Sequence, residues 1–174
     1  MLVLLPPSES KAPPAARGKP LDLAALSFPA LTATRERVLD AVAAVSAGPD
    51  AVRRLGVGAS LGEEVARNVR LRTVPARPAL EVYTGVLYDA LGWSTLPASA
   101  RRRGASRLVV VSGLWGALRP GDRIPPYRLP MCAELGLGSL PLFWRHVLDP
   151  VLAPLAARGL VVDCRSGEYV AAWP

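Results

Sequence analysis

The sequence predicts one mixed α/β domain spanning residues 1–174, and three observations lead there. A length of 174 residues suits one domain rather than two. Short apolar runs (LVLL at 2–5, RLVVVS at 107–112, LVVDC at 160–164) are interspersed with segments whose apolar residues recur at helical spacing. The composition, 51% hydrophobic and 20% charged, can supply a buried core and excludes a disordered chain. Fifteen glycines and eighteen prolines add the expectation of many turns.

Taken in order, LVLL at 2–5 reads as a buried strand that Pro6-Pro7 ends, and residues 12–20 (APPAARGKP) read as a surface excursion. A helix is expected after Thr34, whose hydroxyl could cap it, with Glu36 in its first turn. Its stripe is Val38, Leu39, Val42 and Val45, and Gly48-Pro49 stops it. Two shorter helices follow at 50–55 and 60–69, joined at Gly56-Val57-Gly58. Residues 79–84 (ALEVYT) and 107–112 read as strands, the second fully buried, with a helix at 97–103 between them. Ser139 is the expected cap of a helix from Leu140 to Ala157, which Pro150 and Pro154 should kink or divide. The run at 160–164 is a further strand, and EYV at 168–170 a possible last one.

Several function classes drop out. The longest notable charge-free apolar run, Leu108 to Leu118, falls far short of the ~20 residues that cross a bilayer. The opening MLVLLPPSESK has no basic n-region, so no signal peptide and no membrane partner are expected, and the expected compartment is the cytoplasm. Cys132 and Cys164 are too few for a disulfide scaffold and lie in no metal-ligand spacing, so neither metal nor cofactor is expected. No phosphate-binding or dinucleotide glycine fingerprint is present. His146 reads as a packed helix residue, and Trp93, Trp115 and Trp144 as core residues.

Charge is more informative. The formal net charge is +7 and the isoelectric point about 10.2, which favours polyanionic partners. Nineteen arginines to two lysines reflect a bias in the choice of cation. That bias does not explain residues 101–130, where seven arginines face the single acid Asp122.

Three segments could carry chemistry. In PPSESK at 6–11, a strand end presents Ser8, Glu9, Ser10 and Lys11; a lysine in an arginine-rich chain offers a point charge for phosphate or a tunable amine. In SGLWGALRPGDRIPPYRLPM at 112–131, Arg119, Arg123 and Arg128 accompany Tyr127 around two proline corners, a pattern suited to binding an anion. In LGVGASLGEEV at 55–65, Gly56, Val57 and Gly58 match the helix-hairpin-helix pattern within residues 50–69. There backbone N–H groups hold a DNA phosphate, and Arg53 and Arg54 add charge.

In this order, LLPPSESK at 4–11, VYTGVLYDAL at 82–91, SGLWGALRPGDRIPPYRLPM, LFW at 142–144 and DCRSGEYV at 163–170 resemble the YaaA family, the peroxide stress proteins of bacteria. The resemblance implies a cytoplasmic α/β protein with a basic cleft and a helix-hairpin-helix. The implied role is to limit iron-dependent oxidative damage during peroxide stress, with non-sequence-specific DNA binding. Family members continue past the EYV segment, so the C-terminal part of the family domain is expected to be missing here. Many relatives lack glycines at the position of Gly56 and Gly58.

The leading expectation is therefore a DNA-binding stress protein that grips the phosphate backbone through Lys11, Arg53, Arg54, the 56–58 hairpin, Arg119, Arg123 and Arg128. The alternative is an enzyme acting on a small anionic or nucleotide-like substrate, with Ser8, Lys11, Tyr83, Tyr127 and Glu168 as candidate catalytic groups. If the strands at 2–5 and 107–112 run parallel in one sheet, Lys11, Arg119 and Arg128 should line one depression, with Ser8 and Tyr127 close by.

Overall fold

The LVLL run forms the strand Leu2–Leu5 (β1), and β-branched residues fill Leu108–Ser112 (β3), every residue of which is buried. A computed structural model describes residues 1–174. The strands β1 and β3 pair in parallel with Leu5 beside Val110, and Val161–Asp163 (β6) pairs in parallel on the other side of β1. A fourth strand, Gly116–Leu118 (β4), turns back antiparallel to β3 and gives the sheet order β4-β3-β1-β6. The carboxyl ends of β1, β3 and β6 thus share one edge, where ligands of open α/β sheets commonly bind.

Helices cover this sheet. The helix Thr32–Ser46 (α1) buries Val38, Leu39, Val42 and Val45, the stripe expected from the sequence. It begins two residues before Thr34, continuing a 3₁₀ turn at Pro29–Leu31, so Thr34 lies inside the helix and caps nothing. Arg35 on the same helix is fully buried. Its guanidinium donates to the carbonyls of Trp115 at 2.9 Å, Ser27 at 2.8 Å and Ala117 at 2.7 Å. Burial lowers its pKa to about 10 against the opposing pull of Asp122. Buried Asp122 in turn accepts from the Ser27 N–H and hydroxyl and from the Arg119 N–H.

The helix Leu140–Ala156 (α7) buries Leu140, Trp144, Leu148 and Leu152, one residue per turn. Ser139 has the extended backbone of a cap but makes no side-chain capping bond. Pro150 and Pro154 do not divide the helix: both face solvent, so water can reach the carbonyls of His146 and Pro150 that lose their N–H partners. His146 is exposed rather than packed. Trp115 and Trp144 are fully buried and Trp93 is half-buried.

Two expected strands are helical. Residues 79–84 contain the turn Ala79–Val82 (α4), because Pro78 ends the two-residue strand Arg77–Pro78 (β2), which pairs with Arg123–Ile124 (β5). The EYV segment lies in the helix Gly167–Ala171 (α8). Buried Arg165 holds α8: it binds the Asp163 carboxylate at 2.7 and 2.9 Å and donates to the carbonyls of Tyr169 and Trp173. The remaining α-helices are Ala51–Arg54 (α2), Gly62–Arg67 (α3), Val86–Leu91 (α5) and Ala98–Arg107 (α6), the last longer than the expected 97–103. A 3₁₀ turn at Asn68–Arg70 follows α3.

Candidate functional site

Beyond β1 the chain turns outward at Pro6-Pro7, and three contacts fix the loop that follows. Tyr88, from α5, donates its hydroxyl proton to the Pro6 carbonyl at 2.7 Å. The Thr84 N–H donates to the Ser8 hydroxyl at 3.1 Å, while that hydroxyl donates to the Ser10 carbonyl. The Ala12 N–H donates to the Val82 carbonyl at 2.8 Å. Ser8 is therefore engaged in holding the loop.

The loop aims Lys11 inward. Its ammonium donates to the carbonyls of Ser8 at 2.8 Å and Glu9 at 3.4 Å, and lies 4.4 Å from the centre of the Tyr127 ring and 5.7 Å from that of Tyr83. No carboxylate pairs with it. Arg128 takes the long ion pairs instead, to Glu9 at 3.8 Å and Glu64 at 3.9 Å, and donates to the Glu9 carbonyl at 3.0 Å. Burial, reinforced by the charge of Arg128, lowers the Lys11 pKa to about 7, although Glu64, Glu9 and the aromatic faces favour the cation. The Arg128 side chain is 12% exposed, and its Nε is buried without a hydrogen-bond partner.

Behind Lys11 the buried hydroxyls of Ser112, Tyr127 and Tyr83 form a chain with spacings of 2.7 and 3.0 Å. Burial raises the pKa of both phenols, so they stay protonated. Neither tyrosine lines the cavity in front of Lys11. They support Lys11 from below.

In front of Lys11 lies a cavity of about 840 Å³. The loop at 6–11 forms one wall, Gly56-Val57-Gly58 a second, Arg128 to Cys132 a third, and Ser166 to Tyr169 a fourth. Its charged lining residues are Lys11, Arg128, Glu9 and Glu168, the two carboxylates exposed. No group of three or more His, Cys, Asp or Glu side chains is placed to hold a metal ion.

Lys11, Arg128, Ser8, Glu168 and residues 56–58 thus come together, but Arg119 and Arg123 do not join them. The reason is the reversal of chain direction at β4. Because Leu118 pairs with Val110, Arg119 emerges at the amino end of β3, where it donates to the carbonyls of Ser106 and Leu108. Arg123 is exposed and donates to the Ala76 carbonyl. Pro125-Pro126 then return the chain to the carboxyl edge at Tyr127 and Arg128. Arg53 is exposed beside Asp50 at 3.1 Å, and neither it nor half-buried Arg54 lines the cavity.

Asn68 escaped the sequence reading. It is fully buried, and its carboxamide holds both backbone groups of Arg128. A lone Asn after a six-residue helix carries no sequence signal for that role.

The sequence profile described as "Peroxide stress protein YaaA" matches residues 1–174. A UPF0246 protein of Streptomyces coelicolor is 53% identical over 176 residues, covering 99% of this chain and 67% of the relative. A UPF0246 protein of Corynebacterium efficiens is 42% identical, covering 97% of this chain and 68% of the relative. One from Cereibacter sphaeroides is 37% identical over 103 residues, covering 56% of this chain and 40% of the relative. The name UPF0246 states no activity. No helix is long and apolar enough to cross a membrane.

Proposed function

The chain belongs to the peroxide stress protein YaaA family, and on that premise we propose that the cavity beside Lys11 and Arg128 binds a nucleotide-sized ligand bearing phosphate or carboxylate. One observation carries this reading: an ammonium and a guanidinium from distant parts of the sequence share the wall of a concave space of about 840 Å³. Sites for small ligands commonly fall within ~300–1,000 Å³. Glu9 and Glu168 also line the space, so it is not the uniformly positive track that a duplex backbone favours. A ligand with one anionic group and several hydrogen-bonding groups fits this mixture better.

Of the candidate catalytic groups, Ser8, Lys11 and Glu168 line the ligand space, and Tyr83 and Tyr127 act through Lys11. The test is calorimetric titration with inorganic phosphate and a nucleoside monophosphate. Arg128→Ala should weaken binding about tenfold or more, the usual worth of a charge-assisted hydrogen bond. Equal affinity in the two proteins would sink the reading.

A second reading rests on the hairpin. Gly56, Val57 and Gly58 line the same cavity, with Arg53 and Arg54 just before them, so a DNA phosphate could be held there without base reading. Limiting iron-dependent damage in the cytoplasm would then follow from shielding DNA. Anisotropy titrations at two salt concentrations decide it: the affinity must fall steeply with salt. DNA binding that is absent at low salt ends this reading.

A further inference from the structure

We propose that Lys11 is a nucleophile that forms a Schiff base with a phosphorylated aldehyde, whose phosphate Arg128 holds in the same cavity. This rests on the reading of the cavity as an anion site. Four features of the site support it.

The first is the setting of Lys11. An ordinary lysine extends its ammonium into water or onto a carboxylate, whereas this one is folded inward against Tyr127, with no ion pair, at the wall of an open cavity. Two backbone carbonyls, those of Ser8 and Glu9, orient the nitrogen and leave its third substituent position free. The second is Arg128. It brings a second cation to the same wall, offset only by long ion pairs to Glu9 at 3.8 Å and Glu64 at 3.9 Å, and its buried Nε has no partner.

The third is protonation. Burial and the Arg128 charge lower the Lys11 pKa to about 7, so the neutral amine is far more populated near neutral pH than in an ordinary lysine. The groups facing Lys11 are Arg128, Glu9, Glu64 and the rings of Tyr83 and Tyr127, with Glu168 on the opposite wall. Of these, the Arg128 charge favours the neutral amine. The fourth is room: the cavity accommodates a pentose phosphate with space to spare.

The step is balanced without a redox partner. The neutral Nζ adds to the carbonyl carbon, and its proton passes to the oxygen to give a carbinolamine. A further proton then lets that oxygen leave as water. The carbon–nitrogen double bond that remains is a protonated imine. Two sources share this chemistry, a free sugar phosphate and the aldehydic sugar at a base-free position in a DNA strand.

The chain has two lysines, Lys11 and Lys19, so the test is direct. The protein is incubated with ribose 5-phosphate, or with an oligonucleotide containing a base-free site, and reduced with cyanoborohydride. Peptide mass mapping then locates the adduct. Lys11 should be modified at least about tenfold more than exposed Lys19. The rate should rise with pH to a plateau just above neutrality, and Arg128→Gln should move that midpoint to higher pH. Inorganic phosphate should protect Lys11.

Lys11→Arg should abolish the adduct at this position, because a guanidinium does not form the imine. An adduct with the sugar phosphate, the oligonucleotide or both supports the proposal and identifies the source. Equal modification of Lys19, or phosphate binding without any adduct, overturns it and leaves the anion site standing. Failure of phosphate to bind at all overturns the underlying reading as well.

Discussion

Asn68 and Arg128 are joined as two strands of a sheet would be. The Asn68 Nδ2 donates to the Arg128 carbonyl at 2.8 Å, and the Arg128 N–H donates to Asn68 Oδ1 at 2.9 Å. A second Nδ2 proton goes to the Ser46 hydroxyl at 3.1 Å, which ties the arrangement to the end of α1. One buried carboxamide therefore sets where the Arg128 guanidinium enters the cavity.

Asn68→Ala should destabilise the fold by about 2–4 kcal/mol, because it strands a buried donor and acceptor together. It should also weaken phosphate binding. Asn68→Asp is the sharper test. Its carboxylate can still accept the Arg128 N–H but faces the Arg128 carbonyl with no proton to give. Chemical denaturation should show it as damaging as the alanine variant near neutral pH and partly rescued in acid. Wild-type stability in the Asp variant would mean that the pairing carries no energy.

The sheet centre offers a plainer measurement. Val110 is fully buried at the heart of β3, flanked by Leu5 and Leu118. Val110→Ala should cost about 1–3 kcal/mol in urea denaturation, through lost transfer energy and the cavity left behind. Arg128→Ala should leave the denaturation midpoint close to wild type, since its guanidinium makes one backbone hydrogen bond and two long ion pairs.

Gly116 begins β4 with φ of +68°, and the Trp144 ring lies over it. A β-carbon there would sit 2.5 Å from Trp144 Cζ3. The Trp144 indole cannot yield easily, because its N–H donates to the Gly113 carbonyl at 2.8 Å. Gly116→Ala combines a left-handed backbone with a displaced core ring and should cost about 2–4 kcal/mol. A thermal midpoint unchanged from wild type would contradict this packing. The same glycine shapes the site at a distance, since the reversal it permits carries Arg119 away from the cavity.

That reversal marks where the sequence stops being legible. The apolar runs of β1 and β3 were readable because continuous burial leaves a continuous apolar stretch. Their parallel pairing then put Lys11 and Arg128 on one edge. The three-residue β4 leaves no comparable trace, so the apolar pattern alone places Arg119 at the wrong end of the sheet. ALEVYT and EYV have the β-branched and aromatic residues of strands, but each is too short for propensity to outweigh Pro78 in one case and the Arg165 anchor in the other. Asn68 and Arg35 are a different kind of omission. Their importance lies in burial among partners from distant segments, which one polar letter in a helix does not reveal.

The last prediction turns the Lys11 environment into a stability measurement. Its folded-state pKa is lowered from 10.5 to about 7, by burial first and by the Arg128 charge second. Between those two values the unfolded chain binds the proton and the folded chain releases it. Unfolding therefore takes up protons in that window, and the stability contributed at this position rises as pH rises through it. Below about pH 7 the folded protein must hold a desolvated ammonium, and the penalty is complete; above about pH 10.5 both states are neutral and it vanishes. Lys11→Met removes the titration and keeps much of the side-chain volume. The variant should gain stability over wild type most at about pH 6 and least at about pH 10. The hydrogen bonds to the Ser8 and Glu9 carbonyls are lost as well, and because they are stronger from the ammonium they reduce this gain at low pH. Urea midpoints of both proteins across that range are the measurement. A difference that stays flat with pH would mean that the Lys11 ammonium is as well solvated folded as unfolded.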